Sequence, residues 1–124
     1  MQKQKQINFI SILLGIFFLT ACEYATIHPD VPSPDVKVSF QTEVVPIFAT
    51  CNGAGCHNGS GPKPDLRADK AYQSLIDNAM VIPFNGNGSI LYQVLLPSGV
   101  MAAYGNSTNN AIIKNWIDQG AENN

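Results

Sequence analysis

Basic residues are scarce in this 124-residue chain: seven Lys and Arg stand against nine Asp and Glu, a formal charge of −2. Such a surface repels a phosphate backbone, so nucleic acid is not an expected partner and a basic protein partner is favoured. Histidine is limited to His28 and His57, and cysteine to Cys22, Cys51 and Cys56, thin material for a structural zinc site with four protein ligands. The long apolar run from Ile7 to Leu19 falls short of the about 20 apolar residues that a transmembrane helix needs. Strand signals are weak throughout, which argues against a sheet.

What is present begins with a leader. Lys3 and Lys5 precede the apolar run and small residues follow it, the layout of a signal peptide. Its end, Leu19-Thr20-Ala21-Cys22, resembles the lipobox of bacterial lipoproteins. That resemblance implies a signal segment of residues 1–21, cleavage before Cys22 and acylation of its thiol; an ordinary secretory signal or a short membrane anchor is the alternative. At about 0.8 kcal/mol per buried methylene, a multiply acylated cysteine stays essentially permanently at a membrane surface. Loss of Lys3 and Lys5 leaves five Lys and Arg against nine Asp and Glu, a formal −4 over 103 residues. Residues 22–37 carry Pro29, Pro32 and Pro34 with few large apolar side chains, so they read as an extended tether ahead of a domain of residues 38–124. His28 in this stretch reads as a solvated linker residue.

The stretch that carries chemistry is Cys51-Asn52-Gly53-Ala54-Gly55-Cys56-His57. Two thiols with an imidazole directly after the second match the needs of covalent haem attachment: thioethers to both vinyl groups, and a nitrogen presented to the iron from one face. Four residues separate the cysteines where two are common, and Gly53, Ala54 and Gly55 let the longer loop bulge without steric penalty. On the motif alone a Cys51–Cys56 disulfide, a zinc site helped by His28, and plain loop chemistry compete with this reading. The cysteine inventory favours haem, because one thiol for lipid and two for haem leave none spare in an oxidising compartment.

The domain is expected to be all-α. A first short helix is predicted over Thr42 to Thr50, with Pro46 as a start or kink. A Gly- and Pro-rich loop follows, and then a second helix with Asp69 as cap and Ala71, Tyr72, Leu75 and Ile76 on one face. Ser89 is expected to cap a third helix that turns Leu91, Tyr92 and Leu95 inward. Thr108 is expected to cap the last, in which Ile112, Ile113, Trp116 and Ile117 recur at helical spacing and Gly120 ends the run. A domain this small rarely buries enough apolar surface to be stable alone, so one covalently held haem is a credible nucleus.

Val44-Val45-Pro46-Ile47-Phe48, the cysteine pair with His57, Pro64-Asp65-Leu66, Ile82-Pro83, Ser89-Ile90-Leu91-Tyr92, a methionine after a loop, and Ile113-Lys114-Asn115-Trp116-Ile117-Asp118-Gln119-Gly120-Ala121 occur in that order. The order resembles the single-haem class I-like cytochrome c domains of bacterial envelope lipoproteins, which often use the four-residue gap. The resemblance implies a small class I cytochrome c fold of three to five short helices around one haem c, with the first and last helices packed across each other. It also implies a lipid-anchored carrier of single electrons between redox partner proteins of the cell envelope, facing the periplasm or the cell surface, and not an enzyme. His57 and a methionine are then the axial iron ligands. Met101 is favoured because its loop can cross the open haem face, although Ala102 follows it where similar cytochromes commonly have proline; Met80, at the end of an apolar helix face, is the runner-up. Pro64 resembles the proline whose carbonyl accepts the free ring N–H of the histidine. Trp116 is assigned to the haem wall or the helix crossing, Phe48, Leu66, Leu95 and Ile117 likewise, and Arg67 and Lys63 are candidate propionate partners.

Two other classes of function stay open at this level. A five-coordinate haem sensor or peroxidase-like protein would leave Met101 unligated, but no histidine or arginine stands at the Met101 loop to serve such chemistry. A haem-free lipoprotein binding module with a Cys51–Cys56 disulfide is the other.

Overall fold

The computed structural model describes residue 33 and residues 35–124. The expected signal segment, Cys22, His28 and most of the expected tether lie outside the described residues. Among the described residues the regular elements are all helical, with no strand, and no helix is long and apolar enough to cross a membrane.

The first helical segment, α1, has three parts: a π-helical stretch Phe40–Val44, an α-helical turn Val45–Ile47 and a 3-10 turn Phe48–Thr50. Ser39 opens it, accepting from the Thr42 N–H at 3.3 Å, while the Glu43 carboxylate reaches back to the Ser39 N–H at 2.7 Å. This is reciprocal capping stretched by one residue. Pro46 explains the widened pitch before it. Its ring would clash with the carbonyl four residues back, and the ladder shifts to five-residue closure, with the Val45 N–H donating to the Phe40 carbonyl. Of the start or kink expected at Pro46, the start fits: it stands in the first positions of the α-helical turn Val45–Ile47.

Helix α2 spans Ala71–Asp77 and buries Ala71 and Leu75. Asp69 does not cap it. Lys70 holds the cap position without a side-chain bond, and the Arg67 carbonyl takes the Lys70 and Ala71 N–H groups at 2.8 Å each. Ile76, expected on the inner face, is exposed. Helix α3, Ile90–Leu95, buries Leu91 and Leu95. Ser89 sits at its cap position, yet its fully buried hydroxyl ties the preceding turn instead, accepting from the Ile82 N–H at 2.9 Å and donating to the Asn85 carbonyl at 2.8 Å. After a 3-10 turn at Ala102–Tyr104 comes the longest helix, α4, over Ser107–Asp118. Its cap is Asn106, which accepts from the Asn109 N–H at 2.8 Å, and not Thr108. Asparagine outranks threonine in that role and starts the helix two residues earlier.

The end of α4 is closed by two bonds, Gly120 N–H to the Ile117 carbonyl and Ala121 N–H to the Trp116 carbonyl. Gly120 adopts φ +107, the left-handed conformation such a helix stop requires. The chain then doubles back to the start of α1, where the Asn124 side-chain oxygen accepts the Phe40 N–H at 2.8 Å and its backbone oxygen the Gln41 N–H at 2.9 Å. Donors left orphaned by α1 are thereby satisfied from far along the chain. The core lies where α1 meets α4. Phe40 packs against Trp116 at 4.9 Å between centroids and edge-on to Tyr72 at 5.3 Å. Trp116 is 1 % exposed and its indole N–H donates to the Glu122 carbonyl at 2.8 Å. Trp116→Ala is therefore expected to destabilise the domain by about 3–5 kcal/mol, read as a drop in the urea midpoint.

Candidate haem site

The loop that leaves α1 folds on itself. The Cys51 N–H donates to the Phe48 carbonyl at 2.9 Å, the Cys56 N–H to the Gly53 carbonyl at 3.0 Å, and the His57 N–H to the Cys51 carbonyl at 3.0 Å. The last bond closes the ends of the four-residue gap, so Cys51 and His57 are neighbours through the backbone as well as through the motif. Close packing fixes the return: a Cβ on Gly61 would lie 1.8 Å from the Cys56 carbonyl oxygen, a position that glycine alone can take. Cys51 and Cys56 are half-buried free thiols.

His57 is held from two sides. Its carbonyl accepts the Leu66 N–H at 2.7 Å. Its Nδ1 lies 2.9 Å from the Pro64 carbonyl oxygen and 3.1 Å from that of Pro62. A carbonyl only accepts, so in the neutral imidazole the proton belongs on Nδ1 and Nε2 keeps the lone pair a metal needs. The resemblance pointed to Pro64 as an acceptor. Pro62 is an addition that nothing in the sequence points to.

Both cysteines and His57 line a mostly apolar cleft of about 330 Å³, within the range of cofactor sites. Met101 and Met80 line it too, so the structure brings both candidate sulfur ligands to the same cavity. Phe48 and Ile47 from α1, Leu91 and Leu95 from α3, and Leu66 supply apolar wall. Val100, 84 % exposed, and Tyr104 belong to the lining and also face solvent, which marks the mouth. Trp116, assigned to the haem wall or the helix crossing, packs on Phe40 in the aromatic core and donates its N–H to the Glu122 carbonyl; it is not among the residues that line the cleft. Ile117 likewise packs the core. Among the described residues no three His, Cys, Asp or Glu side chains are grouped to hold a metal ion. Haem does not need such a group, because the porphyrin brings four nitrogens and asks the chain for axial ligands alone.

Of the two candidate propionate partners, Lys63 lines the cleft. Arg67 is engaged elsewhere: its Nη2 lies 2.6 Å from Asp65 Oδ2 and its Nε 3.0 Å from Oδ1. Asp65 is buried, and the hydrogen-bonding Arg67 guanidinium holds its carboxyl at about 2 rather than 3.8, against the opposing effect of burial. A carboxyl whose folded value lies below the ordinary one stabilises the fold above that ordinary value and loses this contribution as pH falls. Acid titration of the urea midpoint should therefore show a loss between pH 3.8 and about 2 that is reduced in Asp65→Asn. Comparison with family models, curated proteins and solved structures finds no match, so the reading of the site rests on its own residues.

Proposed function

We propose that this chain is a lipid-anchored monohaem c-type cytochrome of class I fold that carries single electrons between proteins of the bacterial cell envelope. The observation that carries this reading is the convergence of Cys51, Cys56, His57 and Met101 on one apolar cleft. Bound haem supplies a one-electron iron couple. The residues divide its binding among them. Cys51 and Cys56 hold it through thioethers, His57 offers Nε2, the Pro64 and Pro62 carbonyls orient that ring, and Met101 offers its sulfur with Met80 as the alternative. The leucines and Phe48 exclude water from the walls, which limits the reorganisation that accompanies a change of charge.

Among the described residues the cleft lining holds one histidine, His57, and no arginine, which favours electron transfer over peroxide chemistry at an open iron. The packing of Phe40 from the first helix on Trp116 from the last supports the helix crossing of the class I fold. The lipobox-like leader supports anchoring at Cys22, and Cys22→Ser is expected to move the protein from the membrane fraction to the soluble one.

The test is the visible spectrum of the matured protein, oxidised and reduced, with a haem stain after denaturation. Low-spin spectra and a stain that survives denaturation support the carrier. A high-spin iron that binds carbon monoxide readily would establish the sensor or enzyme reading. Absence of haem, with an intact mass two hydrogens short, would establish the disulfide.

A further inference from the structure

The ring of His57 is tied to a peptide unit whose other end is also occupied. The carbonyl of Pro64, 2.9 Å from His57 Nδ1, and the N–H of Asp65 belong to one planar peptide group. That N–H donates to the hydroxyl oxygen of Ser74 on α2 at 2.7 Å. Pro64 and Asp65 are both buried, so the group sits in a low-dielectric setting where bonds in a chain polarise one another. Donation from the N–H pushes charge onto the carbonyl oxygen of the same unit and strengthens the bond it accepts from the imidazole.

We infer that Ser74 is a positioning residue for His57, acting through the 64–65 peptide to orient the imidazole and raise its basicity toward a bound metal. This rests on the haem-binding reading above. A second restraint acts beside the same unit: the Asp65 carboxylate accepts from the Arg67 N–H at 3.1 Å as well as from its guanidinium, which fixes the chain just after the 64–65 peptide. The pair lies against Gly59, where a Cβ would come within 2.6 Å of Arg67 Nη2. Ser74 therefore locks the loop that follows His57 onto α2, whereas the thioethers lock the loop that precedes it.

Loss of the hydroxyl weakens the Nδ1–H bond, makes the imidazole a poorer donor and favours reduced iron. In the haem-loaded full chain, Ser74→Ala is expected to shift the oxidised-to-reduced ratio about threefold toward the reduced form, which is about 28 mV at about 59 mV per tenfold. Solvent exchange of the His57 Nδ1 proton, followed by NMR, should quicken about tenfold. Ser74→Thr, which returns the hydroxyl, should restore both values. Gln73→Ala removes a 2.6 Å side-chain bond to Asp77 on the same helix but leaves the Ser74 hydroxyl and its bonds, and should move neither. Haem retained in Ser74→Ala with potential and exchange unchanged overturns the relay and leaves the carrier reading intact. Equal shifts in Ser74→Ala and Gln73→Ala also overturn it, because they show a general loosening of α2. A wild-type chain without haem overturns the carrier reading and the tuning with it.

Discussion

Met101→Ala is expected to keep its covalent haem, lose the methionine–iron charge-transfer band, become high-spin and bind carbon monoxide, with a fall in potential on the order of 0.1 V inside the about 0.8 V that axial ligation spans. Thioether attachment depends on Cys51 and Cys56 and is untouched by the change, so the haem stain should be unaltered. The potential falls because thioether sulfur favours reduced iron more than the water that replaces it. The backbone of Met101 is well placed for the role. Its N–H donates to the Val94 carbonyl at 2.9 Å and its own carbonyl accepts the Tyr104 N–H at 2.9 Å, so the loop is pinned to the end of α3 while the side chain remains on the cleft. Met80 is the necessary control, since it lines the same cavity. It is pinned between α2 and α3, its N–H to the Leu75 carbonyl and its carbonyl to the Leu91 N–H. Met80→Ala should lower stability and leave the spectrum low-spin. The opposite pattern, with the band lost in Met80→Ala and kept in Met101→Ala, would exchange the two roles.

How far such roles can be read without coordinates depends on the distance over which each is decided. The all-helical class follows from apolar spacing such as Ile113, Trp116 and Ile117, which are buried together, because side chains three and four apart share a helix face whatever else the chain does. Helix starts were harder. Asn106, Ser107 and Thr108 can all accept a backbone N–H, and which one does so is settled by where the preceding turn delivers the chain. Asp69 and Ser89 have the right chemistry for caps but are drawn to Lys70 and to the Ile82–Asn85 turn. At the site, adjacency along the chain places Cys51, Cys56 and His57 on one loop. The arrival of Met101, Met80 and Leu91 at the same cleft is a tertiary event. Residue type alone leaves Trp116 between the haem wall and the helix crossing; its indole N–H needs a partner on burial, and that partner is the Glu122 carbonyl. Pro62 carries no signal because its contact with His57 runs through a carbonyl that every residue possesses, and Ser74 carries none because its hydroxyl meets the Asp65 N–H from a separate helix nine residues on.

Replacing both cysteines, Cys51→Ala with Cys56→Ala, is expected to give a poorly folded protein, the largest effect of any change at the site. The cleft is the reason. An apolar cleft of about 330 Å³ left to solvent forfeits the burial of its leucine, isoleucine and phenylalanine lining, a serious loss for a domain whose whole stability is typically about 5–15 kcal/mol. Much of the remaining core belongs to one cluster around Phe40 and Trp116, and a domain of about 85 residues has little else to draw on. The lost thioethers also free the Cys51–His57 loop, whose closure then depends on single backbone bonds. Far-ultraviolet circular dichroism should show reduced helix, and the melting transition should broaden and fall. Single replacement of Cys51 or of Cys56 leaves one thioether and should give an intermediate Tm with haem still covalently bound. Added free haem should recover part of the helical signal in the double variant, because filling the cleft restores the apolar contacts while the covalent restraint stays absent. A double variant with unchanged helical signal and unchanged melting would show that α1, α2, α3 and α4 fold without help from the cleft, and would remove haem as the nucleus of this fold.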